Sequence, residues 1–78
     1  MSTRYQITAR IDKSIVYRMS ISGFQDARDL AKIVLREYFE KLEPEHALTV
    51  SIQEITVTGN KLVAWTKRRK YATSYPQT

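Results

Sequence analysis

Basic and aromatic side chains are the residues of this sequence with the clearest chemistry. The chain has a formal net charge of +5, and residues 61–78 carry five basic residues and no acidic one. Four of them are consecutive, Lys67-Arg68-Arg69-Lys70, and two tyrosines follow. Guanidinium and ammonium groups pair with phosphate oxygens. This segment is therefore a candidate phosphate-binding arm, although an ordinary charged C-terminal extension has the same composition.

The residues that usually perform catalysis are scarce. The chain has no cysteine and one histidine, His46, which lies between a predicted turn and a predicted strand. A phosphate-binding glycine loop is excluded because the only glycines are Gly23 and Gly59. Glu43 and Glu45 fit a solvated acidic turn better than a cation site. We therefore expect no enzymatic activity, no cofactor and no metal site.

The elements that position the basic residues begin with two alternating segments. Residues 4–11 and 15–21 each place apolar side chains at every second position, which is the period of a half-buried strand. A three-residue loop, Asp12-Lys13-Ser14, keeps the apolar faces together in an antiparallel hairpin. The predicted pairs are Ile11 with Ile15, Ala9 with Tyr17, Ile7 with Met19 and Tyr5 with Ile21.

A single helix is predicted over Ser22–Leu42. Its apolar residues recur every three or four positions, and Val34, Tyr38 and Leu30 are expected to face the sheet. Ser22 and Gln25 have the spacing of a capping box at its start. Pro44 disfavours helical geometry at the residue before it and so predicts that the helix ends upstream.

A second hairpin is predicted after the helix. Residues 47–58 and 61–69 are rich in strand-forming residues, and Gly59-Asn60 between them is a turn signal. Leu48, Val50 and Ile52 alternate in one phase, but Ile55 and Val57 alternate in the other. A β-bulge near Gln53-Glu54 would restore one apolar face.

These elements predict an α+β fold of order ββαββ, in which two antiparallel hairpins form a sheet with one helix packed on one face. Residues 1–70 are expected to form one domain, and residues 71–78 a flexible tail. No segment resembles a membrane span or a signal peptide, so we expect a cytoplasmic protein.

The uncovered face of the predicted sheet presents basic side chains around Trp65. This combination favours binding of nucleic acid, chiefly through its phosphates, by a small non-enzymatic module. An equally good interpretation is that long basic side chains keep a bare sheet face soluble. Trp65 also has a structural interpretation, because a single tryptophan in a small domain lies in the core more often than it forms a binding platform. The candidate nucleic-acid-binding residues are Arg4, Arg10, Arg18, Trp65, Lys67, Arg68, Arg69 and Lys70.

The alternative partner is another protein. A sheet with one bare face and two outer strands can pair with a second copy of itself, so a homodimeric interaction or inhibitor module is the second hypothesis. Ile33 and Phe39 on the outer side of the helix are a possible partner patch, although single exposed apolar residues are common.

Overall fold

The computed structural model describes residues 3–70. It contains four strands and one helix: β1 (Arg4–Ile11), β2 (Ser14–Ile21), α1 (Phe24–Glu40), β3 (Leu48–Thr56) and β4 (Gly59–Arg68). The strands form one antiparallel sheet in the order β2-β1-β3-β4, with α1 on one face. The predicted ββαββ fold is confirmed. The side of the sheet away from α1 is called the open face below.

The first hairpin confirms three of the four predicted pairs. Tyr5, Ile7 and Ala9 lie opposite Ile21, Met19 and Tyr17, but the register then shifts so that Arg10 lies opposite Ile15. The prediction that Ile15 pairs with Ile11 is therefore wrong, as is the three-residue loop. A two-residue turn, Asp12-Lys13, connects the strands, and the extra residue is absorbed as a bulge at Val16. Asp12 has a φ of 56°, a left-handed conformation that Asp tolerates better than most residues.

The helix is shorter at both ends than the sequence predicted. Gly23 is its N-cap, and no side chain caps the first turn. The predicted capping box is therefore wrong: the amide of Gln25 donates instead to Oδ1 of Asp29 at 3.3 Å. Lys41 is the C-cap, and its backbone N–H donates to the carbonyl of Tyr38.

The second hairpin turns two residues earlier than predicted. Val57 and Thr58 form the turn, and Gly59 is the first residue of β4 with a φ of 148°, which favours glycine. The hydroxyl of Thr56 accepts the N–H of Thr58 at 3.3 Å and donates to the carbonyl of Gly59 at 3.2 Å. The turn predicted at Gly59-Asn60 is wrong.

The predicted bulge in β3 is wrong as well, because the bulge lies in β4. Ile52 lies opposite Ala64 and Gln53 opposite Leu62, which leaves Val63 without a partner. β3 itself pairs with β1 in one unbroken register from Ile55 to Leu48.

The core lies between α1 and the two central strands. Val34 is buried, as predicted, and Leu30 and Tyr38 are half-buried against the same cluster. The side chain of Tyr38 also packs near Tyr17 and donates to the carbonyl of Val16 at 3.3 Å. The buried core side chains come from β1, α1, the segment after α1, and β3: Ile7, Ala9, Ala27, Val34, Leu42, Leu48, Val50 and Ile52.

No helix within residues 3–70 is long and apolar enough to cross a membrane. The segment predicted to be a flexible tail, residues 71–78, lies outside the described residues.

Candidate nucleic-acid interface

The open face is built from four cross-strand rows. Because side chains alternate along each strand, the observed register assigns every second residue of each strand to this face. From one end of the sheet, the rows are Ile15–Arg10–Thr49–Lys67, then Arg18–Thr8–Ser51–Trp65, then Ser20–Gln6–Gln53–Leu62, and finally Arg4–Ile55–Asn60.

Two adjacent rows bring together four of the candidate binding residues. Arg10 and Lys67 share the first row, and Arg18 and Trp65 are the ends of the second. Trp65 is 61% exposed, so the structure assigns it to the surface and not to the core. Strands are separated by about 4.8 Å, so the second row spans about 14 Å between the α-carbons of its ends.

The centre of these rows is made of short polar side chains. Thr8 is only 5% exposed and Ser51 only 8%, although both lie on the face that α1 does not cover. Both are short and lie between longer side chains, Arg18 on one side and Trp65 on the other. The result is a shallow polar floor with a cation and an aromatic ring at opposite ends.

The charged side chains of the strands on the open face are all positive. The only carboxylate in the four strands is Glu54, which lies opposite Tyr5 and therefore on the helix side. Within residues 3–70, the side chains of Arg10, Arg18 and Lys67 form no ion pair. Arg4 is at the far end of the face, where its guanidinium donates to the hydroxyl and the carbonyl of Ser20 at 3.3 and 3.2 Å.

The consecutive basic residues do not act as one surface. Lys67 belongs to the open face, whereas Arg68 lies opposite Leu48 on the helix side. Lys70 reaches the end of α1, where its Nζ donates to the carbonyl of Glu40 at 3.0 Å and lies 5.7 Å from the centre of the Phe39 ring. The alternation of a strand thus divides the basic run between two faces.

Arg69 lies near a polar cluster at the end of the sheet. Asp12 accepts the N–H of Ala47 at 3.1 Å and contacts Nδ1 of His46 through its other oxygen. The hydrogen bond from Ala47, followed by the contact with His46, lowers the pKa of Asp12 below its ordinary value of 3.8, and Arg69 adds a smaller effect in the same direction. His46 therefore helps to hold the first turn against the start of β3, a structural role in keeping with its sequence position.

A second surface was missed by the sequence reasoning. Between α1 and β4 runs a groove with an apolar floor and basic residues along its rim, in two adjoining segments of about 220 and 320 Å³. The signal in the sequence is the spacing of Arg28, Lys32 and Arg36, which places three cations on one edge of a helix. The sequence did not indicate that this edge faces a gap.

Comparisons of the chain with protein-family models, with curated proteins and with solved structures found no match. Functional conclusions therefore depend on the geometry of residues 3–70.

Proposed function

We propose that this protein binds nucleic acid through the open face of its sheet, with a preference for single strands. The observation that carries the proposal is the joint presence of Arg10, Arg18, Lys67 and the exposed ring of Trp65 in two adjacent rows, without a carboxylate on that face. Phosphates pair with the cations, and a base stacks on the indole.

The preference for single strands follows from the position of the ring. Trp65 lies on an outer strand and is 61% exposed, so an unpaired base can stack on it from solution. Bases inside a duplex are already stacked on their neighbours and present only their edges. A duplex would use the cations alone, and its binding would gain nothing from the indole.

The alternative of a homodimer built by edge pairing has less support. Both outer strands carry a bulge, at Val16 in β2 and at Val63 in β4, and each bulge limits the regular edge to a short segment. β4 also carries Lys61, Lys67 and Arg68 with no acidic residue, so two copies of it would repel each other.

The test uses the one tryptophan of the chain as its own probe. Titration with unlabelled single-stranded DNA and RNA should quench or shift the emission of Trp65, and a labelled oligonucleotide should give the affinity by anisotropy. Trp65→Ala should lower the affinity for single strands by about 1–3 kcal/mol, which is about 5- to 150-fold. The slope of affinity against salt should stay the same, since no phosphate contact is removed.

Two controls make this result specific. Trp65→Phe keeps an aromatic surface and should retain most of the affinity. The thermal unfolding midpoint of Trp65→Ala should stay close to that of the wild type because the ring is mostly exposed. If the wild type binds neither single strands nor duplexes at low salt, the proposed function is wrong.

A further inference from the structure

The groove between α1 and β4 exists because the helix packs mainly on the two central strands. The helix-facing side of β4 is left partly bare, with Ala64 half-buried at its centre. Ala31 and Leu35 form one wall, and Val50, Ile52 and Ala64 form the floor. Thr66 and Trp65 complete the lining on the β4 side, so Trp65 borders the groove as well as the open face. The groove continues past Leu35 to Phe39.

The charges along the groove are all positive. Arg28, Lys32 and Arg36 follow the edge of α1, and Arg68 of β4 lies across from them at one end. No carboxylate is among the residues that line either segment of the groove. The acidic residues of the helix, Asp29 among them, are not part of these walls. An occupant of this groove must therefore combine apolar groups with negative charge.

The outer edge of β4 lies beside the same groove. Within residues 3–70, no strand pairs with this edge, so its outward backbone N–H and C=O groups have no strand partner among those residues. Beyond the bulge at Val63, Ala64 to Arg68 pair with β3 in one regular register. The outer α-carbons of these five residues are about 14 Å apart, and those of Arg28 and Phe39 are about 17 Å apart along the helix. Edge and groove therefore agree in length to within about one strand residue.

We propose that the groove and the outer edge of β4 bind an extended acidic segment of a partner protein, which adds to the sheet as a fifth strand. Its main chain pairs with Ala64–Arg68, and its apolar side chains, at alternate positions, enter the groove. Carboxylates at its groove-facing positions meet the cations of the rim: Arg28, Lys32, Arg36 and Arg68. A second copy of β4 does not fit this description because it is basic.

This site has cations of its own, separate from those of the proposed nucleic-acid surface. Alternation along β4 directs Lys67 to the open face and Arg68 to the groove. Variants can therefore be designed that weaken one set of cations and leave the other intact.

The experiment uses synthetic peptides as the probe. A fluorescein-labelled peptide of about nine residues exceeds the edge by two residues at each end. It has glutamate at the two outer groove-facing positions, leucine at the groove-facing positions between them, and threonine at the alternate positions. A second peptide has glutamine in place of every glutamate. Two further peptides carry backbone N-methyl groups, either on the amides that would face β4 or on the amides that would face away. Affinity is measured by anisotropy, and the binding site is mapped by amide chemical shifts of the full chain.

The expected results are specific to the groove. The glutamate peptide should shift the amides of Ala64–Arg68, and the glutamine peptide should bind more weakly. Lys32→Glu combined with Arg36→Glu should lower peptide affinity by about tenfold or more, whereas Arg10→Glu with Arg18→Glu should change it by less than about threefold. With an oligonucleotide, Arg10→Glu combined with Arg18→Glu should lose more affinity than Lys32→Glu combined with Arg36→Glu. N-methyl groups facing β4 should abolish binding, and those facing away should not.

One variant tests the apolar floor without removing charge. Ala64→Leu adds volume inside the groove, keeps the strand and should reduce peptide affinity while the unfolding midpoint is maintained. The proposal is overturned if no peptide binds at low salt, if the shifts map to the open face, or if N-methylation has no effect. It is also overturned if the protein alone sediments as a dimer whose interface is the β4 edge. Loss of oligonucleotide binding alone would refute the proposed function and leave this site standing.

Discussion

The salt dependence of oligonucleotide binding is the sharpest measure of the open face. Arg10, Arg18 and Lys67 are the three cations that lie in adjacent rows around the polar floor. Each phosphate that such a cation neutralises releases condensed counterions, so log affinity falls with log salt by about 0.7 per contact on a single strand. Replacing all three residues with alanine should therefore flatten the slope by up to about 2 units.

The magnitude can be expressed as a ratio that is easy to measure. Between about 50 and 200 mM salt, a slope difference of about 2 units changes the ratio of wild-type to variant affinity by about 16-fold. The wild type should therefore have its largest advantage at low salt and lose most of it at high salt. Fluorescence anisotropy with a labelled single strand, at four or more salt concentrations, gives both slopes.

The matched control removes three cations from the other side of the protein. Arg28→Ala, Lys32→Ala and Arg36→Ala together lower the net charge by the same amount, and all three residues are exposed on α1. This variant should keep the slope of the wild type, since its cations face the groove. Equal flattening in both triple variants would mean that net charge alone drives binding, which would refute the assignment of the site to the open face.

Three further predictions concern stability. Val34→Ala should lower the free energy of unfolding by about 1.5–2 kcal/mol in urea titrations, because Val34 is buried. Ile33 is 42% exposed, so Ile33→Ala should lower it by less than about 0.5 kcal/mol. Equal losses would contradict the observed helix orientation. Asp12→Asn should destabilise the protein near neutral pH and have less effect in acid. The pKa of Asp12 is lowered in the folded state, so the stabilisation by its carboxylate is present above pH 3.8 and is lost as the pH falls below that value. A difference that grows in acid would contradict this sign. Gly59→Ala should cost about 1 kcal/mol or more because φ is 148°, while Val57→Ala in the same turn, 84% exposed, should be nearly neutral in thermal melts.

The period of two in the strands carried most of the correct sequence prediction. Tyr5, Ile7 and Ala9 alternate with polar residues, so only one register buries them, and that register is observed. The same alternation predicts that Arg10 and Arg18 lie on the open face, where the observed register also assigns them. Alternation is a strong signal where one face is buried and the other is solvated.

Prediction failed where apolar residues appear in both phases of a strand. Ile55 and Val57 were expected to join the core through a bulge in β3. Instead Ile55 lies on the open face opposite Arg4, and Val57 is in the turn. β3 is a central strand, so a bulge in it would disrupt hydrogen bonding with two neighbours, whereas a bulge in β4 disrupts only one. The sequence pattern alone does not indicate which strands are central, so it could not predict which strand carries the bulge.

The start of the helix illustrates a second limit. Ser22 and Gln25 have capping-box spacing, yet Gly23 is the N-cap and Gln25 bonds to Asp29. Isolated spacing does not decide which of two adjacent residues leaves the helical conformation. The groove illustrates a third limit, since Arg28 and Ala64 become neighbours only through the strand order and the position of the helix.

The bulge at Val63 makes a final prediction about β4. Residues before it pair with β3 in one register and residues after it in another, and the two registers differ by the one unpaired residue. Deleting Val63 therefore removes the bulge and keeps every remaining pair, including Ala64 with Ile52. Trp65 should stay on the open face with the emission of an exposed indole, and the unfolding midpoint should fall by no more than about 5–8 °C, since no core side chain is lost.

Deleting Thr66 is the matched contrast. If the bulge at Val63 is kept, Lys67 moves to the helix side of the sheet. If the bulge is lost instead, Lys67 stays on the open face and Trp65 moves to the helix side. Either arrangement separates the ring from its neighbouring cation, so this deletion should abolish the effect of Trp65 on oligonucleotide affinity, or bury the indole and shift its emission to shorter wavelength. A Val63 deletion that unfolds the protein, or that shifts the emission as the Thr66 deletion does, would mean that the bulge sets the faces of β4 and that the alternation argument for the open face is incomplete.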